Sequence, residues 1–454
     1  MPFADSSEIE ILRSALESLD AGFDRLPQHE RSIDTAAIAS VLQDVAVRMR
    51  NNFPYHHPRY AGQMLKPPHP VARLAYALSM WLNPNNHALD GGRASSEMEK
   101  ECVEALARMC GWTEALGHLC GGGTMANLEA LWVAGRLAPG RRVVASTQAH
   151  YTHARISDVL KLDFATVAVT GDGRMDVDAL RSLLRAGDVG TVVATLGTTG
   201  MGAVDPLPEI LELQQEYSFR VHADAAYGGY FCLASELGPD AARAFARIAD
   251  ADSIVIDPHK HGLQPYGCGC VLFRDPGVGA LYRHESPYTY FSSAELHLGE
   301  ISLECSRPGA AAVALWATQQ LLPMVPGEVR ARDLDRSLLA ARSLWQGIDE
   351  SEHFYALAPP ALDIVVFSVK AEDAVSASEH AREIFKRAAA RDLHLALIDL
   401  PAELVAPFCT ELDMNRRTVT CLRSCLMKPE HLDWIDDIQA ILEEVARDLR
   451  HIPP

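Results

Sequence analysis

Ser253-Ile254-Val255-Ile256-Asp257-Pro258-His259-Lys260-His261-Gly262 is an apolar run that ends in a polar turn presenting a lysine. A short β-branched run without alternation reads as a strand buried on both faces, the kind a parallel sheet uses. Upstream, Arg220-Val221-His222-Ala223-Asp224-Ala225-Ala226-Tyr227-Gly228-Gly229 repeats the plan, with a strand over Phe219–Ala223 and an aspartate at its carboxyl end. Further short runs at Arg142–Thr147, Thr166–Val169, Val189–Leu196 and Cys268–Phe273 are separated by segments of helical length. Strands alternating with helices predict an α/β protein on a mostly parallel, doubly wound sheet.

The chain divides into three on the same reading. Residues 1–60 form a helical arm, since helical periodicity over 6–50 runs into the proline-broken stretch Asn51–Tyr60. Residues 61–325 form the large domain. Within it Ser96-Glu97-Met98-Glu99 reads as a capping box opening a helix over 97–110, with Gly111 as the residue that stops it. Pro323-Met324-Val325-Pro326-Gly327 then punctuates the chain. Residues 326–454 read as a smaller α+β domain with a long helix, a strand at Ile364–Val369, a helix near 376–391 and a strand at Val419–Leu422.

Composition narrows the function classes. The 454 residues carry 41 Lys and Arg against 60 Asp and Glu, a net charge of −19 that argues against binding nucleic acid. No apolar stretch reaches the roughly 20 residues a membrane span needs, and the first residues show no basic segment leading into an apolar one. A cytoplasmic location is expected, with no membrane partner. The ten cysteines form no metal-spaced grid, so no metal is expected. Cys268 and Cys270 read as buried reduced thiols, with a redox or metal role as the alternative.

Four elements carry chemistry. Lys260 is the only lysine between Lys161 and Lys370 in a chain of 34 Arg and 7 Lys. A guanidinium cannot lose its proton to form a Schiff base, so a lysine kept here points to that chemistry; a solvent-exposed loop lysine is the plain alternative. Asp224 ends a strand at the edge where open α/β sheets bind ligands, and so faces the crevice of Lys260. A buried aspartate needs a cationic partner, which a protonated pyridine nitrogen supplies; capping of a turn is the competing role. Cys120-Gly121-Gly122-Gly123-Thr124-Met125-Ala126-Asn127 sets glycine amides and the Thr124 hydroxyl at a helix N-terminus, which favours a phosphate dianion. It has neither dinucleotide-fingerprint nor P-loop spacing. His150, in Ser146-Thr147-Gln148-Ala149-His150-Tyr151, suits stacking on a flat ring or a structural place equally.

In that chain order these are the parts of a pyridoxal-phosphate site. The sequence resembles the group II pyridoxal-phosphate-dependent amino-acid decarboxylases over about residues 50–430. Gly-Gly-Gly-Thr, Ala-His-Tyr, Gly-Thr-Thr-Gly, His-Ala-Asp-Ala-Ala-Tyr-Gly-Gly and Asp-Pro-His-Lys carry the likeness. The resemblance implies fold type I, with a mostly parallel seven-stranded sheet and a smaller C-terminal α+β domain. It implies a homodimer with active sites at the interface and pyridoxal 5′-phosphate as cofactor. Lys260 would carry the cofactor, Asp224 would pair with the ring nitrogen, and His150 and Ala226 would cover the two ring faces. Gly123 and Thr124 would hold phosphate, helped by Asp257 or His259, with Thr199 on the ring hydroxyl side. Arg423 would meet a substrate carboxylate, or else form an interdomain salt bridge. His57 is a candidate pocket residue from the arm.

The implied reaction is decarboxylation of an L-amino acid, aromatic or acidic, to an amine. Relatives often carry a long loop whose tyrosine protonates the substrate carbon. Here Glu285–Ala294 reaches Cys305 after few residues, leaving Tyr288 and Tyr290 as candidates for that role. The alternatives are other reactions on the same cofactor, namely aldehyde synthesis, transamination or carbon–carbon lysis, and a non-catalytic scaffold.

Overall fold

A computed structural model describes residues 6–27, 32–283 and 297–450. Seven strands make the main sheet: β1 (Leu116–Cys120), β2 (Arg142–Ser146), β3 (Phe164–Val167), β4 (Val189–Thr195), β5 (Arg220–Asp224), β6 (Ser253–Ile256) and β7 (Gly269–Phe273). Their spatial order is β1-β7-β6-β5-β4-β2-β3. From β6 to β3 every neighbour is parallel, and β7 alone runs against both of its neighbours. β4 is buried at all seven positions, as its run of small and β-branched residues requires. This is the mostly parallel seven-stranded sheet of fold type I.

β1 was not anticipated. Its Gly117 and His118 look wrong for a strand, but His118 is buried and its Nε2 lies 2.9 Å from Glu129 Oε2, so its polarity is satisfied inside the protein. The expected capping box also proves to be something else. The helix runs Arg93–Met109 with Gly92 as N-cap, so Ser96 lies inside it. Glu99 is buried on that helix, where Arg307 Nη1 meets its Oε1 at 2.6 Å and the Asn86 amide donates to Oε2 at 2.6 Å. Both residues that imitate the cap are buried against other segments. Gly111 does end the helix region at φ +89°, as its spacing suggests.

Four antiparallel strands make a second sheet in the order β10-β11-β9-β8: β8 (Phe354–Ala356), β9 (Ile364–Val369), β10 (Ala396–Pro401) and β11 (Thr418–Cys425). Helices Val329–Asp349, Ala374–Ala389 and Ile435–Arg450 close its core with Leu344, Ile348, Ile384, Ile438 and Leu442. At the other end of the chain, helices Ser6–Ala21 and Thr35–Met49 bury none of their residues. No helix among the described residues is long and apolar enough to cross a membrane.

Buried histidines set the acid limit of this fold. Burial pushes His222 down to about 3, His261 to about 4 and His431 to about 3, against an ordinary value of 6.5. Their contribution to stability is complete above pH 6.5 and is lost as pH falls from there toward the folded values, because the unfolded chain binds the extra protons. Asp205 acts in the opposite sense. Burial raises its carboxyl to about 7, so its contribution is complete below the ordinary carboxylate range and is lost as pH rises through 7. Three protons outweigh one. The urea midpoint is expected to fall steadily from pH 6.5 to about pH 4, and a midpoint that stays level over that window would refute the assignment.

Candidate active site

Parallel strands deliver their carboxyl ends to one edge of the sheet, and that edge is where the cavity lies. It encloses about 290 Å³ and is lined by Gly121–Met125, Asn127, His150, Thr152, Thr195, Gly197, Thr199, Asp224, Ala226, Tyr227, Asp257, His259 and Lys260. Gly121 follows β1, His150 follows β2, Thr195 ends β4, Asp224 ends β5 and Asp257 follows β6. Chain segments as far apart as residues 121 and 260 thus meet because each begins where a strand stops.

Lys260 sits in the connection between antiparallel β6 and β7, its Nζ 3.0 Å from Asp257 Oδ2. Asp257 is 3% exposed, and its Oδ1 has no hydrogen-bond partner among the described residues. The His259 ring is fixed from behind, with Nδ1 2.8 Å from the Cys268 carbonyl oxygen, while Nε2 lies 3.5 Å from Asp257. Burial lowers the pKa of both His150 and His259.

Asp224 is 5% exposed. Its Oδ2 lies 2.8 Å from His153 Nε2, and its Oδ1 accepts a 3.2 Å bond from the Ala226 amide. Burial opposes ionisation, but the His153 hydrogen bond and the neighbouring positive groups overcome it, holding the carboxyl well below the usual range. His222 also faces Asp224 but is itself kept neutral by burial, so near neutral pH the bond to His153 is the main cause. His153 was missed from the sequence. A histidine three residues after His150 on a helix is the only local sign of it, and its partner is 71 positions away.

The glycine turn opens the helix Gly123–Leu137. Gly122 holds φ +141°, open to glycine but not to side-chain-bearing residues, and a Cβ on Gly123 would stand 2.8 Å from Asp257 Oδ2. The first amides of this helix have no partners within it, which is the usual seat of an anion. An amine, a buried anionic carboxylate and a helix N-terminus around one cavity fit pyridoxal phosphate.

Thr199 lines the cavity, and its carbonyl accepts a 2.8 Å bond from Arg423 Nη1 on β11. Arg423 does not line the cavity and forms no salt bridge among the described residues; its Nη2 donates to Gln63 Oε1 at 2.7 Å. His57 is likewise absent from the lining, packed edge-on against Trp434 at 4.9 Å. Tyr288 and Tyr290 lie outside the described residues. A second contact with the small sheet was also unforeseen. Asp363, just before β9, accepts the Tyr227 hydroxyl at 2.5 Å and lies 3.2 Å from His261 Nε2. Those two residues directly follow Ala226 and Lys260. Cys268 and Cys270 are both buried.

Fold and cavity together define a fold-type-I enzyme of the pyridoxal-phosphate class. The family model of the pyridoxal-dependent decarboxylase conserved domain matches residues 136–370, just over half of the chain. The chain belongs to the pyridoxal-dependent decarboxylase family. It is a carboxy-lyase that uses pyridoxal phosphate to decarboxylate an amino acid. A protein described as a probable L-tyrosine/L-aspartate decarboxylase, from Methanothermobacter thermautotrophicus, is 30% identical over 318 residues, covering 69% of this chain and 84% of that one. Among solved structures, Oryza sativa TDC with PLP and tryptamine has a TM-score of 0.78 at 17% identity and covers 99% of each chain. Rhodiola rosea 4-hydroxyphenylacetaldehyde synthase has a TM-score of 0.75 at 17% identity, covering 99% of this chain and all of its own. At such identities these two likenesses concern the fold.

Proposed function

We propose that this chain converts an L-amino acid with an aromatic or acidic side chain to its amine and carbon dioxide, with Lys260 carrying the cofactor. The observation that carries the reading is the meeting of Lys260, Asp224 and the Gly123 helix end around one cavity. The relative described as acting on tyrosine or aspartate supports the choice of side chain. Pyridoxal phosphate, when bound, supplies a carbonyl that condenses with amines and a ring that accepts the electrons left when carbon dioxide departs.

The residues of the chain do the rest. Lys260 must give up a proton before its nitrogen can act as a nucleophile, and Asp257 Oδ2 at 3.0 Å is placed to share it. Asp224 keeps a negative charge where a ring nitrogen is to be protonated. His150 and Ala226 would bound a slot for a flat ring, while Gly123, Thr124 and His259 would hold the phosphate. Asp257, an anion, serves Lys260 in this scheme and not the phosphate. Arg423 fixes the rim by gripping Thr199. The proton that replaces the lost carboxylate comes from Tyr288 or Tyr290, with His150 as the donor if neither serves.

A screen of the L-amino acids for carbon dioxide and amine tests the reading. Turnover of aromatic or acidic substrates with an equal yield of amine is expected. Aldehyde, ammonia and peroxide in place of amine would assign aldehyde synthesis instead, and carbon dioxide from no amino acid would refute the proposal.

The active species is proposed to be a cytoplasmic homodimer. The helix Thr35–Met49 leaves Ile38, Val41, Leu42 and Val45 exposed in a single chain, an apolar stripe that a second copy would cover. Sedimentation should give twice the 49.6 kDa chain mass; a monomer at micromolar concentration would overturn this part.

A further inference from the structure

His153 lies in the helix Thr152–Val159 with none of its surface exposed. Its Nδ1 is buried with no hydrogen-bond partner among the described residues, and its Nε2 lies 2.8 Å from Asp224 Oδ2. A buried helix position is cheaply filled by an apolar side chain, and burying an imidazole with one nitrogen unsatisfied costs free energy that some contact must offset. The contact with Asp224 is the one that does so. Because an ionised carboxylate only accepts, Nε2 carries the hydrogen, whatever the charge on the ring.

We propose that His153 is a positioning residue for the reaction, which fixes the Asp224 carboxylate and keeps it anionic for the cofactor nitrogen. This rests on the reading of Asp224 given above. Among the described residues His153 is the only side chain that donates a hydrogen bond to Asp224, since the Lys260 nitrogen pairs with Asp257. Loss of that donor leaves the carboxylate with the 3.2 Å Ala226 amide bond alone. Such a buried carboxylate takes up a proton more readily, and it would hold a protonated ring nitrogen less well.

Substitutions at 153 separate this role from simple packing. In Gln the terminal amide nitrogen falls near the place of the imidazole Nε2, whereas in Asn it falls short. His153→Gln is expected to keep kcat within about threefold of the parent, while His153→Asn and His153→Phe lower it about tenfold or more, the range expected for a hydrogen bond to a charged group. KM should change little. The absorbance of the bound cofactor, titrated against pH without substrate, should shift in the same direction in His153→Phe as in Asp224→Asn. In an Asp224→Asn background, His153→Phe should add less than about twofold, because residues acting through one another are not additive.

Equal losses in the Gln and Asn variants, or additive effects in the double variant, would overturn the proposal in favour of a packing role. So would an unmoved absorbance titration in His153→Phe. If the Phe variant does not fold, the comparison of Gln with Asn still decides. An Asp224→Asn protein with parental kcat and titration would instead mean that the reading of Asp224 has failed, a distinguishable result.

Discussion

Lys260→Ala is expected to give a folded protein that holds pyridoxal phosphate loosely, lacks the visible absorbance of a lysine-linked cofactor and turns over no amino acid above background. The side chain is partly exposed in the cavity lining and its one ion pair among the described residues is with Asp257, so its loss removes chemistry more than packing. Lys260→Arg should fail equally, since a guanidinium keeps its proton and cannot form the linkage. Thermal melting separates loss of fold from loss of function. A variant that keeps both absorbance and turnover after dialysis would take Lys260 out of the reaction.

The second large effect is expected from Asp224→Asn. The change is nearly isosteric, and the amide oxygen can still accept from His153, so the fold should persist. What disappears is the charge that keeps a ring nitrogen protonated. Turnover should fall by about a hundredfold or more, roughly 2.7 kcal/mol of barrier, with cofactor still attached through Lys260. Steady-state kinetics on protein of verified cofactor content reads this directly, and activity within about threefold of the parent would assign the ring nitrogen to another group.

Those two residues were legible in the sequence for a physical reason. A strand buried on both faces is largely apolar, so charged residues at or just past its end are conspicuous, and Asp224 ends β5 while Lys260 lies in the turn after β6. The edges of β4, β5 and β6 fall within a residue of the expected ones on the same account. Legibility failed where polarity was satisfied at long range. His118 conceals β1 because Glu129 answers it from a neighbouring helix. Ser96 and Glu99 imitate a helix start although both are buried inside the helix, where the Glu99 carboxylate is answered by Arg307, 208 positions away. His153 gives no periodic signal at all, since one polar residue on a buried helix face looks like noise until the strand end opposite is known. Asp363 is hidden likewise, because its partners Tyr227 and His261 lie in the turns that follow β5 and β6 of the other sheet.

The grip of the second sheet on the cavity bears on how this enzyme can be recombined. Arg423 holds the carbonyl of Thr199, and Asp363 accepts from Tyr227 and lies beside His261, so three positions at or next to the catalytic edge are set by side chains contributed after residue 360. A crossover placed at the Pro323–Gly327 punctuation, with the C-terminal part taken from another sequence, would look clean in the chain trace. It would still exchange the supports of the lysine turn. Hybrid enzymes built there should regain cofactor attachment only when the donor brings an acid at 363 and an arginine at 423.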